Sequence, residues 1–263
     1  MGEVIVITSG KGGVGKTTVT VGLGMGLARR GKKVVLVDAD IGLRHLDVAL
    51  GLENGIVHDL VDVIEAKCLL QQALVKDRRQ DGLYLLPAAQ TRDKKAVMPS
   101  QMQELCRELA REFDYVLIDS PPGIEQGFYN AIAGAGKAFI VTTPDMASVR
   151  AADRVMGLLA SAGKSDTQLI VNRYREPRAG TEGIVAMDDI VEIVATEVLG
   201  RIPADEAVVY LGGGKTIIDE PLTAAGVACT DIVRRILGEK IPCATASVPS
   251  EGGLWSKIKK HLS

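Results

Sequence analysis

One stretch constrains this chain more than any other: Gly10-Lys11-Gly12-Gly13-Val14-Gly15-Lys16-Thr17-Thr18. It satisfies the phosphate-loop template G-x-x-x-x-G-K-[ST] at every fixed position. Its surroundings agree with the motif. Val4-Ile5-Val6-Ile7 before it reads as a buried strand, and residues 17–30 after it read as a helix ending at Gly31. Strand, glycine-rich turn and helix together aim successive backbone N–H groups at a phosphate chain. The glycines let the backbone approach closely, Lys16 is placed to reach the β- and γ-phosphates, and the Thr17 hydroxyl is a Mg²⁺ ligand. Gly10 through Thr18 are therefore candidate nucleotide-binding residues. Lys11 is a second lysine early in the loop. On the residues alone it is either a solvated surface lysine or a cation that reaches phosphate charge, including charge across a subunit interface.

A P-loop needs a parallel sheet behind it, and the chain supplies one. Lys33–Asp40, Leu83–Pro87, Phe113–Asp119, residues 137–143, Gln168–Tyr174 and Val198–Pro203 read as strands. Between them, residues 56–65, 67–75, 99–112, 146–162, 187–196 and 224–237 read as helices. Alternation of this kind predicts an α/β fold, a mostly parallel sheet with helices on both faces, of P-loop NTPase type. Gly22, Gly24 and Gly26 in the first helix are expected to pack that helix closely on the sheet. Leu211–Thr216 looks like a second phosphate loop, but it lacks the spacing and the preceding strand, and reads as a turn.

Acids at the C-terminal ends of parallel strands lie where ligands bind in such sheets. Asp38 and Asp40 close the second strand; they read as nucleotide or metal chemistry against a loop-capping alternative. Asp119 ends an apolar strand in the Walker B manner and would hold Mg²⁺ through water. Gly123, just beyond it, can swing a backbone N–H toward a γ-phosphate. Asn172 at the end of its strand offers a donor and an acceptor to a purine edge, with Arg173 beside it.

Composition narrows the function classes. Lys+Arg 31 against Asp+Glu 33 gives a formal charge of −2, which disfavours bulk nucleic-acid binding, and 3% aromatics disfavours base-stacking platforms. Four scattered cysteines without a C-x-x-C read as reduced thiols. No apolar run approaches the roughly 20 residues of a spanning helix, and the chain opens directly on its first strand, so no leader is expected.

Past Gly238 the composition changes. Residues 239–253, with two prolines and a Gly-Gly pair, read as a flexible linker to residues 254–263; residues 1–238 form the main domain. At about 100° per residue, Leu254, Trp255, Ile258 and Leu262 share one helical face, with Lys257, Lys259 and Lys260 around the other. A basic face opposite Trp and Leu is the pattern of an interfacial membrane helix on an anionic surface.

The loop K-G-G-V-G-K-T-T resembles the deviant Walker A loop of the MinD/ParA ATPases, and the motif order and amphipathic tail are similar to the MinD branch of that family. The resemblance implies an ATP hydrolase that uses Mg²⁺. It implies a homodimer formed with ATP, in which Lys11 contacts the partner's nucleotide, so that Lys11, Lys16 and Asp40 are catalytic. Asp40 would position the attacking water or the metal with support from Asp38. Asn172, and Arg173 more weakly, would contact adenine, with Pro203 and Asp205 as the second wall of the base pocket. The implied partners are a MinC-type division inhibitor, a MinE-type activator and the anionic inner face of the plasma membrane, visited reversibly from the cytoplasm to control division-site placement. His45 stands where this family usually has Asn, and Pro122 where it has Ala. A ParA-type partition ATPase or a nucleotide-dependent scaffold with little turnover remain alternatives.

Overall fold

The apolar runs become strands because both faces of each are covered. A computed structural model of the chain describes residues 1–92, 96–177, 183–209 and 214–243. In chain order the elements are β1 (Glu3–Thr8), α1 (Lys16–Arg29), β2 (Val34–Asp38), α2 (Leu46–Leu50), α3 (Leu60–Ile64) and α4 (Leu70–Ala73). Then come β3 (Val75–Lys76), β4 (Leu83–Leu86), α5 (Pro99–Glu112), β5 (Tyr115–Asp119), α6 (Gln126–Ala133) and β6 (Lys137–Thr142). The last are α7 (Met146–Ser161), β7 (Thr167–Tyr174), α8 (Met187–Val194), β8 (Glu197–Pro203), α9 (Glu206–Val209) and α10 (Ala224–Ile236). The described strands form one sheet in the order β3-β4-β2-β5-β1-β6-β7-β8. All pairings are parallel except that of the short edge strand β3 with β4.

Side chains alternate between two cores. Val6, Val35, Val37, Val116 and Ile118 enter one layer with the apolar faces of α3 to α8. Ile5, Ile7, Leu36, Leu117 and Phe139 enter the other, with α1, α2 and α10. Full burial of side chains of this size contributes about 1.5–3 kcal/mol each, so neither face of a central strand tolerates a polar residue without a partner. The α/β architecture expected from the sequence is present.

The glycines of α1 divide their work differently from the expectation. Only Gly24 meets the sheet, where a Cβ would stand 2.5 Å from Leu36 Cδ2. At Gly22 and Gly26 a Cβ would collide with Ile217 and Ile218 at 2.3 and 2.5 Å, in the single 3₁₀ turn Ile217–Asp219 ahead of α10. Close approach there is to a neighbouring segment, because α1 is sandwiched between the sheet and the closing helix.

Other differences are local. The segment 67–75, read as a helix, is the four-residue α4 running into β3. The segment 56–65 is helical only from Leu60, where Asp59 caps Val61 and Asp62 N–H groups. Residues 239–243, read as the start of the linker, are tied down. Arg235 donates to the carbonyls of Leu199, Ile241 and Pro242 at 3.0, 3.1 and 2.8 Å, and Arg234 Nε donates to Glu239 Oε2 at 2.8 Å. The tail residues Leu254, Trp255, Lys257, Ile258, Lys259, Lys260 and Leu262 lie outside the described residues. Among the described residues, no helix is long and apolar enough to cross a membrane.

Candidate active site

Topology places the loop. β1 lies between β5 and β6, so the turn after it sits mid-sheet, and register pairs Asp38 with Asp119 and Ile7 with Asp119. The three strand ends converge under one helix N-terminus. Gly15 caps α1 in the left-handed region at φ 90°, with no side-chain cap and no acid in the first turn. The first N–H groups of α1 therefore have no intrahelical acceptor and carry the positive end of the helix dipole. That is an anion site by construction.

Asp119 is the hub beneath it. Lys16 Nζ lies 3.0 Å from its Oδ1, and the Thr17 hydroxyl donates to its Oδ2 at 2.7 Å. Thr20, which the sequence reading missed, donates to Oδ1 at 3.2 Å and is itself buried. Its signal was its spacing: one turn after Lys16, it lies on the helix face that meets β5. Both Lys16 and Asp119 are largely shielded, at 10% and 2% side-chain exposure. A lysine and a hydroxyl poised on one carboxylate can turn toward phosphate oxygens without leaving the site.

Asp38 holds the loop beyond β2. Its Oδ1 accepts the Asp40 N–H at 3.0 Å, and its Oδ2 accepts the His45 and Leu46 N–H groups, both at 3.1 Å. Burial, with Asp119 close by, pushes its carboxyl up to about 6. Asp38, proposed as a metal residue, thus has both oxygens occupied by backbone donors, and its position fits the supporting and loop-capping roles. Asp40 is buried at the cleft wall. Its Oδ2 stands 3.4 Å from Nδ1 of the half-exposed His45, a residue to which the sequence reading gave no role.

A cleft of about 500 Å³ joins Lys11, Gly12, Gly13, Val14, Gly15, Lys16, Thr17, Asp40, His45, Pro122 and Arg173. An adjoining pocket of about 650 Å³ is lined by Thr18, Asn172, Arg173, Arg175, Pro203 and Asp205. Arg173 belongs to both, in the left-handed region at φ 53°. Asn172 Nδ2 donates to the Val14 carbonyl at 2.8 Å, which ties β7 to the loop and leaves the amide oxygen for the pocket. The two hollows suit a polyphosphate and a base in size. Gly10 and Gly123 are not among their linings: Gly10 packs on α7, and Gly123 has φ 88° with open space around it. Lys11 is paired within its own chain, its Nζ 3.2 Å from Asp145 Oδ1. Among the described residues no group of three His, Cys, Asp or Glu converges as a metal cage.

Residues 5–216 match the CobQ/CobB/MinD/ParA nucleotide binding domain family. The septum site-determining protein MinD of Bacillus subtilis is 50% identical over 265 residues, spanning 100% of this chain and 98% of the relative. The chain belongs to the MinD family. Among solved structures, the MinC:MinD cell division protein complex of Aquifex aeolicus superposes with a TM-score of 0.85 at 44% identity, covering 93% of this chain and 100% of that one. The MinD of Pyrococcus horikoshii complexed with Mg-ADP gives 0.80 at 26% identity, covering 92% and 100%. The family match over residues 5–216 spans the residues that line both hollows.

Proposed function

We propose that this MinD-family ATPase works as a nucleotide-gated dimer. ATP brings two copies together, the dimer holds the membrane through two C-terminal tails, and it recruits a MinC-type inhibitor until a MinE-type activator stimulates hydrolysis. The observation that carries the catalytic part is the Lys16–Thr17–Asp119 cluster under the bare N-terminus of α1. Lys16 and the α1 N–H groups receive phosphate charge. Mg²⁺, when bound with ATP, neutralises the developing charge, with Thr17 and, through water, Asp119 as the residues to hold it. Asp40 orders the attacking water. Lys11 acts on the partner's nucleotide. Asn172, Arg173, Pro203 and Asp205 receive the base.

The membrane part rests on the tail sequence. The inhibitor partnership is supported by the likeness to the Aquifex aeolicus complex. A single tail gains little: its apolar burial is partial, and ordering each residue costs about 1–2 kcal/mol. Two tails on one dimer gain avidity of about 10²–10⁴. Dimerisation then controls membrane residence without any separate signal to the tail. Phosphate release measured with anionic vesicles, with and without a MinE-type activator, tests the turnover. Activator-dependent release that requires vesicles is expected; no release under any condition would leave a scaffold.

A further inference from the structure

The pair Lys11–Asp145 is formed by construction. Gly10 approaches α7 so closely that a Cβ there would stand 2.4 Å from the Ala151 carbonyl oxygen, so the leading arm of the loop rides on that helix. The Ser9 hydroxyl donates to the Lys11 carbonyl at 2.9 Å and fixes the backbone from which the lysine departs. On the other side, Asp145 is the N-cap of α7. Its Oδ1 accepts the Ser148 N–H at 3.0 Å, and its Oδ2 accepts the Thr143 hydroxyl at 2.7 Å. Its backbone pairs with Ile184, and the Val185 N–H donates to the Pro144 carbonyl at 2.8 Å. Burial alone would raise this carboxyl. The hydrogen bonds from Thr143, Ser148 and Lys11 outweigh that and hold it well below the usual carboxylate range. The carboxylate is therefore set in place independently of Lys11, and stays ionised.

We propose that Asp145 is a positioning residue for Lys11: it retains the lysine within its own chain until a second copy presents a nucleotide polyphosphate, and so sets the threshold for dimerisation. The proposal rests on the reading that Lys11 acts across the dimer. On this proposal the Lys11 ammonium leaves its own Asp145 to reach a partner's phosphate, so each dimer releases two such pairs. The competition favours the triphosphate, whose γ-group adds negative charge, over the diphosphate. The pair is half exposed, at 48% and 43%, so one pair is weak. Release of one is worth about two- to fivefold in an equilibrium constant. Two releases per dimer multiply to about 4- to 25-fold.

The test is sedimentation equilibrium of the full chain with Mg²⁺ and a non-hydrolysable ATP analogue. Asp145→Asn keeps a capping oxygen and removes the charge; Asp145→Ser does the same by another route. Both should lower the dimer Kd by about 4- to 25-fold and raise the dimer fraction with ADP, while the melting temperature of the nucleotide-free chain stays near that of the wild type. An unchanged or raised dimer Kd in both variants would overturn the proposal. Lys11→Ala separates this failure from failure of the underlying reading. If Lys11→Ala does not dimerise while the Asp145 variants leave Kd unmoved, only the role of Asp145 is lost. If Lys11→Ala dimerises like the wild type, the lysine does not act across the interface, and both ideas fall.

Discussion

Replacing Gly15 by alanine should damage two things at once, and the structure says how to separate them. Gly15 sits at φ 90°, and a Cβ there would stand 2.2 Å from Asn172 Nδ2. The left-handed conformation costs a residue with a Cβ about 1–2 kcal/mol. The collision also drives Asn172, only 6% exposed, off the Val14 carbonyl it binds at 2.8 Å. Leaving those buried groups unpaired costs about 1–3 kcal/mol more. Gly15→Ala should therefore destabilise the nucleotide-free chain by about 2–5 kcal/mol. In an Asn172→Ala background the collision has no target, and the same substitution should cost only the conformational part, about 1–2 kcal/mol. Urea unfolding of the wild type, both single variants and the double variant gives the coupling, expected at about 1–3 kcal/mol below additivity. Additive costs would refute the claim that the loop and β7 are joined through this contact. Nucleotide affinity should fall wherever Gly15→Ala is present, alone or in the double variant, because the added Cβ also obstructs the phosphates.

Asp38 gives a pH signature with the sign opposite to that of an ordinary paired carboxylate. Its carboxyl is raised to about 6 in the folded chain, so folding takes up a proton. Stability from this group is fully present below about pH 4, is lost between about pH 4 and 6 by up to about 3 kcal/mol, and stays lost above. Unfolding midpoints against pH should show this fall in the nucleotide-free wild type and a flatter curve in Asp38→Asn; parallel curves would contradict it. Asp40→Ala should slow ATP turnover by far more than it weakens binding, whereas Asp119→Ala should weaken Mg²⁺-dependent nucleotide binding itself. Single-turnover kinetics beside calorimetry separates the two, and normal activated turnover in both would place the chemistry elsewhere.

The site was readable in the sequence where one residue's chemistry sufficed. Lys16, Thr17 and Asp119 each carry a motif, and the structure brings them into contact. Asn172 was legible from its place at a strand end, but Pro203 and Asp205 entered only through family likeness, since nothing in the composition of residues 203–205 says that they meet residues 172–173 around one hollow. Strand order was also beyond the sequence: that β1 lies between β5 and β6 depends on which helices cross which face. The helix α6 went unseen because Gly127, Tyr129 and Asn130 dilute its apolar period, although its buried Phe128 and Ile132 are one turn apart. The pinned segment 239–243 resembles a linker because of its proline and exposed polar residues, while its anchor, Arg235, looks like a solvated charge at a helix end. Asp145 is hidden for a similar reason. An acid before a helix reads as a cap, and only the structure shows that it also holds Lys11.

The most direct test of the nucleotide-gated dimer is co-sedimentation of the full chain with vesicles containing anionic lipid, in Mg²⁺ with ATP or with ADP, for the wild type and for Trp255→Glu. Vesicle binding of the wild type is expected with ATP and little with ADP, with loss of binding in Trp255→Glu while its ATP affinity stays unchanged. Equal binding of the wild type in ATP and ADP, or undiminished binding by Trp255→Glu, would contradict it.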